Sequence, residues 1–94
     1  MTRREVSAAL RSYKVNKARL NLLSDQDELT RLHSIVQRVA VWLDALTVKE
    51  RALVEHHDID GRTWPELAAY YGMSADGVRR IYAGALDKII AMEG

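Results

Sequence analysis

The densest run of groups able to do chemistry is Glu55-His56-His57-Asp58-Ile59-Asp60, where two imidazoles stand among carboxylates as metal ligands or an acid–base pair would. The spacing argues against both uses. Neighbouring helical residues point about 100° apart, so His56 and His57 cannot close on one ion as an i, i+4 pair does, and His33 supplies no third ligand at a fixed spacing. No nucleophile has a base partner and no glycine-rich loop could cradle a phosphate. The reading is of a chain that is no enzyme and takes no metal or cofactor.

The cations offer a different chemistry, because guanidinium and ammonium groups hold phosphates and read guanine edges. Arg79 and Arg80 are adjacent, and either can donate to the O6 and N7 acceptors of a guanine. An exposed ion pair between Arg80 and Asp76, one turn back, is the alternative. Arg62, Thr63, Ser74 and Lys88 are spaced to hold backbone phosphates, which fix register without reading sequence. Residues 1–24 carry Arg3, Arg4, Arg11, Lys14, Lys17 and Arg19 against Glu5 alone, whereas residues 25–60 are acidic and the remainder is balanced. Arg4, Arg11 and Lys14 lie together on the side of the first helix turned away from its apolar stripe. They are either a second phosphate-contacting surface or a solvated helix face.

Five helices must position these groups. Val6, Leu10, Tyr13 and Leu20 fall in one arc, which predicts a first helix over about Arg4–Leu23. Ser24 and Asp25 can cap a second helix running to about Ala45. Its apolar residues Leu29, Leu32, Val36, Val39, Leu43 and Leu46 alternate spacings of three and four, a seam that wants another helix against it. The short connection makes the first helix that partner, in an antiparallel hairpin; a homodimer is the other way to cover the seam. Thr47-Val-Lys-Glu50 is a capping box opening a third helix, with Ala52 and Leu53 inward, that the turn formers Asp58-Ile-Asp-Gly61 end after His57. Thr63-Trp-Pro-Glu66 is a second box, opening a short helix over about Trp64–Tyr71. Gly72 supplies the left-handed conformation that ends it, and Ser74 caps a last helix over about Ala75–Met92, with Val78, Ile81, Ala85 and Ile89 or Ile90 inward.

Two helices on a three-residue turn holding a glycine, the second long and armed with arginines, form the helix-turn-helix arrangement. Leu67, Tyr71, Met73, Val78 and Ile81 are apolar where its helices must meet, and Ala68 is small at the closest approach. The expected fold is all-α: a hairpin with a basic first helix over residues 1–46, then a helix-turn-helix module over 47–94, in one compact unit. With 48% apolar and 29% charged residues the chain should fold, and with no cysteine it should do so in a reducing cytoplasm without disulfides. The longest apolar run, Val39–Leu43, is far short of a membrane span, and Met1-Thr-Arg-Arg lacks the apolar stretch of a secretory signal.

From Leu46 onward, Leu-Thr-Val-Lys-Glu-Arg followed by Gly61-Arg-Thr-Trp-Pro-Glu-Leu-Ala-Ala-Tyr-Tyr-Gly-Met-Ser-Ala-Asp-Gly-Val-Arg-Arg-Ile-Tyr resembles region four of the bacterial sigma factors. A charged helical hairpin before a Trp-x-Glu-Leu-Ala helix and an Arg-Arg-Ile-Tyr-x-x-Ala-Leu helix is similar to small phage and prophage regulators of the ArpU and RinA kind. That resemblance implies sequence-specific binding of double-stranded DNA and regulation of transcription, and not the programming of RNA polymerase. It puts Ser74, Ala75, Asp76, Arg79, Arg80 and Ala83 on the groove-facing side of the last helix. Ala75 and Gly77 stand where the sigma modules carry longer polar side chains, and Gly77 costs the helix up to about 1 kcal/mol relative to alanine. Close approach to a thymine methyl or a phosphate, or simple drift, would each account for it. A structural or adaptor protein, such as a small DNA-packaging subunit or a polymerase-docking module, is the competing reading.

Overall fold

A computed structural model describes all residues 1–94 and is all-helical, in the order α1 (Arg3–Leu20), α2 (Gln26–Asp44), α3 (Val48–Val54) with a π turn (Glu55–Ile59), α4 (Trp64–Tyr71) and α5 (Ala75–Glu93). Local chemistry explains the boundaries. Thr47 and Thr63 form their boxes with Glu50 and Glu66, each threonine oxygen accepting from the third amide while the glutamate accepts from the threonine amide. Thr2 and Glu5 make a third box, which starts α1 at Arg3. Asp25, rather than Ser24, caps α2 by accepting from the Glu28 amide. None of the helices is long and apolar enough to cross a membrane.

The hairpin is antiparallel: Leu20 and Leu29 share one end, while Met1 reaches Arg38 well along α2. Its two helices are not equally buried along their length. Val6, Leu10, Val39, Trp42, Leu43 and Leu46 join Val54 from α3 and Ala85, Leu86 and Ile89 from α5 in the main core. Between residues 11 and 31 no residue is fully buried, but Tyr13 packs against the main core and Lys14 and Lys17 border Glu55, Ile59 and Asp60; the molecule measures 46 × 27 × 21 Å. Of the α2 seam, Leu32, Val39, Leu43 and Leu46 are buried, and Leu29 and Val36 are half-buried. Trp42, Val54 and Leu86 carry as much of the core as the residues the periodicity picked out.

Two sets of ion pairs fasten α5 to the hairpin. Arg3 donates twice to Asp87 at 2.7 Å, and Arg38 donates to both Glu93 oxygens at 2.7 and 2.8 Å, with the Trp42 indole donating to the same carboxylate. The Arg38 guanidinium, and after it the Trp42 N–H, hold the Glu93 carboxyl down at about 2, against an ordinary value of 4.5. A depressed carboxylate stabilises the fold above its ordinary pKa and loses that contribution as pH falls towards the folded value. The difference in thermal midpoint between the parent and Glu93→Gln should therefore be constant at neutral pH and shrink between about pH 4.5 and 2. A difference that stays level across that window would mean the carboxylate is not engaged.

Candidate nucleic-acid interface

The turn between α4 and α5 has the geometry a helix-turn-helix needs. Gly72 lies at φ 63°, ψ 35°, where a side chain would be strained. The Met73 amide then donates back to the Ala68 carbonyl at 3.0 Å, and the Gly72 amide to Ala69 at 3.4 Å, which closes α4 in a Schellman arrangement. Ser74 accepts from the Gly77 amide at 3.0 Å and starts α5 two residues after the glycine. Leu53, Leu67 and Val78 are buried together, with Trp64, Ala68, Tyr71, Met73 and Ile81 packed around them. All the junction residues expected from the sequence meet there. The Tyr71 hydroxyl is buried without a hydrogen-bond partner, and burial pushes its pKa up.

Gly77 is explained by its own neighbours. A Cβ there would meet the Ser74 hydroxyl oxygen at 3.1 Å and the Met73 methyl at 3.2 Å. Those are the cap of α5 and a side chain of the turn cluster, so the small residue lets the turn fold tightly.

The two arginines of α5 are not equivalent. Arg79 lies 3.5 Å from Asp76 and its guanidinium sits over the Trp64 ring, 5.8 Å from the centroid. The exposed pair expected for Arg80 and Asp76 is thus made by Arg79 instead, across three residues. Arg80, about 200° around the helix from buried Val78, forms no ion pair. Asp76 and Arg80 share its outward face, and Ala75 and Ala83, half-buried, flank it.

Most of the expected phosphate-holding cations already have protein partners. Arg62 lies 3.5 Å from Glu66, and Lys88 donates to Glu50 at 2.7 Å, where the Lys88 ammonium and the Thr47 amide hold the Glu50 carboxyl below its ordinary range. The Thr63 hydroxyl is tied into its capping box. On α1, Arg11 reaches Asp58 at 3.6 Å, and Lys14 borders a groove with Glu55 and Asp60; Arg4 stays unpaired and exposed.

Asp58 departs most from the sequence reading. The turn formers do not end the third helix after His57. A π turn carries it through Ile59, with the Asp60 amide donating to Glu55 at 2.9 Å, so Asp58, four residues after buried Val54, stays on the inward face. Its carboxylate is fully buried and accepts from Ser7 of α1 at 2.9 Å and from Tyr82 of α5 at 2.6 Å. Burial, and then the hydrogen bond to Asp58, push the Tyr82 pKa up. The histidines beside it have separate duties. His57 stacks on Trp64 at 3.8 Å and donates to the Arg62 carbonyl at 2.8 Å, whereas His56 turns to Asp60 and Tyr70. The groove beside His56, lined by Arg62, Glu66, Leu67 and Tyr70, is a shallow cleft of about 340 Å³.

No protein-family model, curated protein or solved structure matches the chain.

Proposed function

We propose that the chain binds double-stranded DNA through α4 and α5 and acts in the cytoplasm as a small transcription regulator of phage or prophage type. One observation carries the reading: a glycine-closed turn joins two capped helices, and α5 leaves a face clear of the core on which Arg80 is unpaired. Placed in a major groove, that face offers Ala75, Asp76, Arg80 and Ala83 to base edges, with Arg79 at its border. Ser74 and Thr63, with the amides at the two helix starts, are the phosphate holders, joined by Arg4 from α1. Arg62, Lys88 and Arg11 serve only by exchanging a carboxylate for a phosphate.

Base reading then falls chiefly to Arg80, because Arg79 is occupied by Trp64 and Asp76. On a duplex selected from a random pool, Arg80→Ala should lose about tenfold to a hundredfold in preference for that duplex over unrelated DNA. Its melting temperature should be unchanged. Arg79→Ala should instead lower the melting temperature while keeping most of the preference. A band-shift titration in which Arg80→Ala discriminates as well as the parent rejects the assignment. A packaging subunit or adaptor is the second reading, favoured by the elongated shape, 46 Å in its longest dimension. A ring of many copies in solution would support it.

A further inference from the structure

On the DNA reading of α5, which it presupposes, we infer that Arg3 of α1 is a further DNA-contacting residue, held by Asp87 on the outward face of α5 to grip a backbone phosphate. Asp76, Arg80, Gly84 and Asp87 all lie within about 40° of Arg80 around that helix, on the side away from buried Val78, Ala85 and Ile89. Arg80 marks the front of this face and Asp87 its far end. Arg3 opens α1, and its Nε and Nη2 donate to the two Asp87 oxygens at 2.7 Å each. Both side chains stay more than half exposed. The far end of the face therefore presents a guanidinium with its charge partner, and Arg3 cancels a carboxylate that would otherwise repel a phosphate.

The pairing is side-on, which leaves the other edge of the guanidinium free. A guanidinium carries more donors than one carboxylate uses, and the Nη1 group of Arg3 bonds no protein atom. The Nη1–Nη2 edge fits two oxygens of a phosphate as the Nε–Nη2 edge fits a carboxylate, and Asp87 fixes its direction in advance. Reach agrees with this. At a rise of about 1.5 Å per residue, Asp87 stands about 10 Å beyond Arg80 along α5, close to the width of a major groove, about 12 Å. When Arg80 meets base edges, Arg3 is carried to the strand that borders them. Gly84 stands between the two on the same face. A Cβ there would meet nothing within 4 Å, in contrast to Gly77, so no contact inside the protein asks for glycine at a helical position where it costs stability relative to alanine. A phosphate chain passing close to α5 between Arg80 and Arg3 does.

The same pair fastens α5 to the hairpin, and salt dependence separates the two roles. A strap is broken equally by Arg3→Gln and Asp87→Asn, whereas a phosphate contact is lost only in the first. The measurement is a band-shift titration of the full chain on a duplex selected from a random pool, repeated over a range of salt concentrations. Arg3→Gln should bind about threefold to tenfold more weakly at low salt, and its slope of log affinity against log salt should be shallower by about one. Its preference for that duplex over unrelated DNA should be kept, since phosphate contacts do not read sequence. Asp87→Asn retains the Arg3 charge and should keep the parent's slope. Gly84→Leu puts its side chain into open space, so it should melt no lower than the parent yet bind the duplex more weakly. Equal slopes for the parent and Arg3→Gln overturn the inference, as do equal losses of slope in the two pair variants or a Gly84→Leu variant that binds like the parent. If the parent binds a duplex and Arg80→Ala relaxes its preference, such a result removes Arg3 alone and leaves the DNA reading standing. A parent that binds no duplex removes both.

Discussion

Trp42→Ala is expected to cost about 3–5 kcal/mol of folding stability, the largest loss from any single core truncation in this chain. Trp42 is the bulkiest of the fully buried side chains, and it touches both halves of the fold. Its ring fills the space where α2 meets α3 and α5. Its indole N–H donates to Glu93, and the Arg38 guanidinium lies over the ring, 5.5 Å from its centroid. Truncation therefore opens a cavity and also frees the last turn of α5. Small domains have only about 5–15 kcal/mol in total, so the variant should be partly unfolded at modest urea concentrations. Trp42→Phe keeps most of the volume and loses the hydrogen bond, and should fall between parent and alanine variant. Urea titrations of the three proteins measure this, and a loss below about 1 kcal/mol for Trp42→Ala would show that the core closes without it.

Asp58→Ala should cost about 2–4 kcal/mol, for lost hydrogen bonds to a buried carboxylate rather than for lost packing. Removing the carboxylate takes away the acceptor of both the Ser7 and Tyr82 hydroxyls, leaves them only their long mutual bond, in which Tyr82 donates to Ser7 at 3.3 Å, and leaves Arg11 with no partner there. A hydroxyl buried without its carboxylate acceptor has given up its bonds to water without full compensation. Tyr82→Phe removes one donor and its need together, so it should cost less, about 1.5–3 kcal/mol. In the double variant the two losses should fall short of additive, since both act on one network. Strict additivity in the denaturant midpoints would mean the three groups do not form a unit. Because Ser7 belongs to α1 and Tyr82 to α5, the network fixes the basic helix α1 against α5. Its loss should therefore reach any DNA affinity as well as stability.

Element identity and most helix starts were legible in the sequence because the interactions that decide them are local. A threonine and a glutamate three residues apart cap a helix whatever lies around them, which marked α3 and α4 and, at Thr2 and Glu5, could have marked α1 too. Gly72 announced the turn because only glycine adopts its φ without strain, and the spacing of Leu67, Tyr71, Met73, Val78 and Ile81 announced what the turn packs against. Periodicity assigned Val6, Leu10, Val39 and Ala85 to the core. It passed over Trp42 because an aromatic ring beside the α2 seam is buried only if another helix crosses there. In this chain the end of α5 does, and Glu93 receives the indole N–H.

The tertiary structure alone decided the fate of the charges. Asp58 reads as a turn former, since nothing within a few residues says that Ser7, 51 positions away, and Tyr82, 24 positions away, will donate to it. Lys88 and Arg62 read as free phosphate holders until Glu50 and Glu66 are seen beside them, and Arg79 and Arg80 read alike until one lies over Trp64. Ion pairs and buried polar groups form between residues that only the crossing of helices brings within a few ångströms. Capping and periodicity act within a turn or two of chain. The sequence therefore set the all-α architecture and its helix-turn-helix junction, while the crossing of α1, the π turn and α5 set which cations are tied to carboxylates and which, such as Arg80 on the face of α5 and Arg4 on α1, are not.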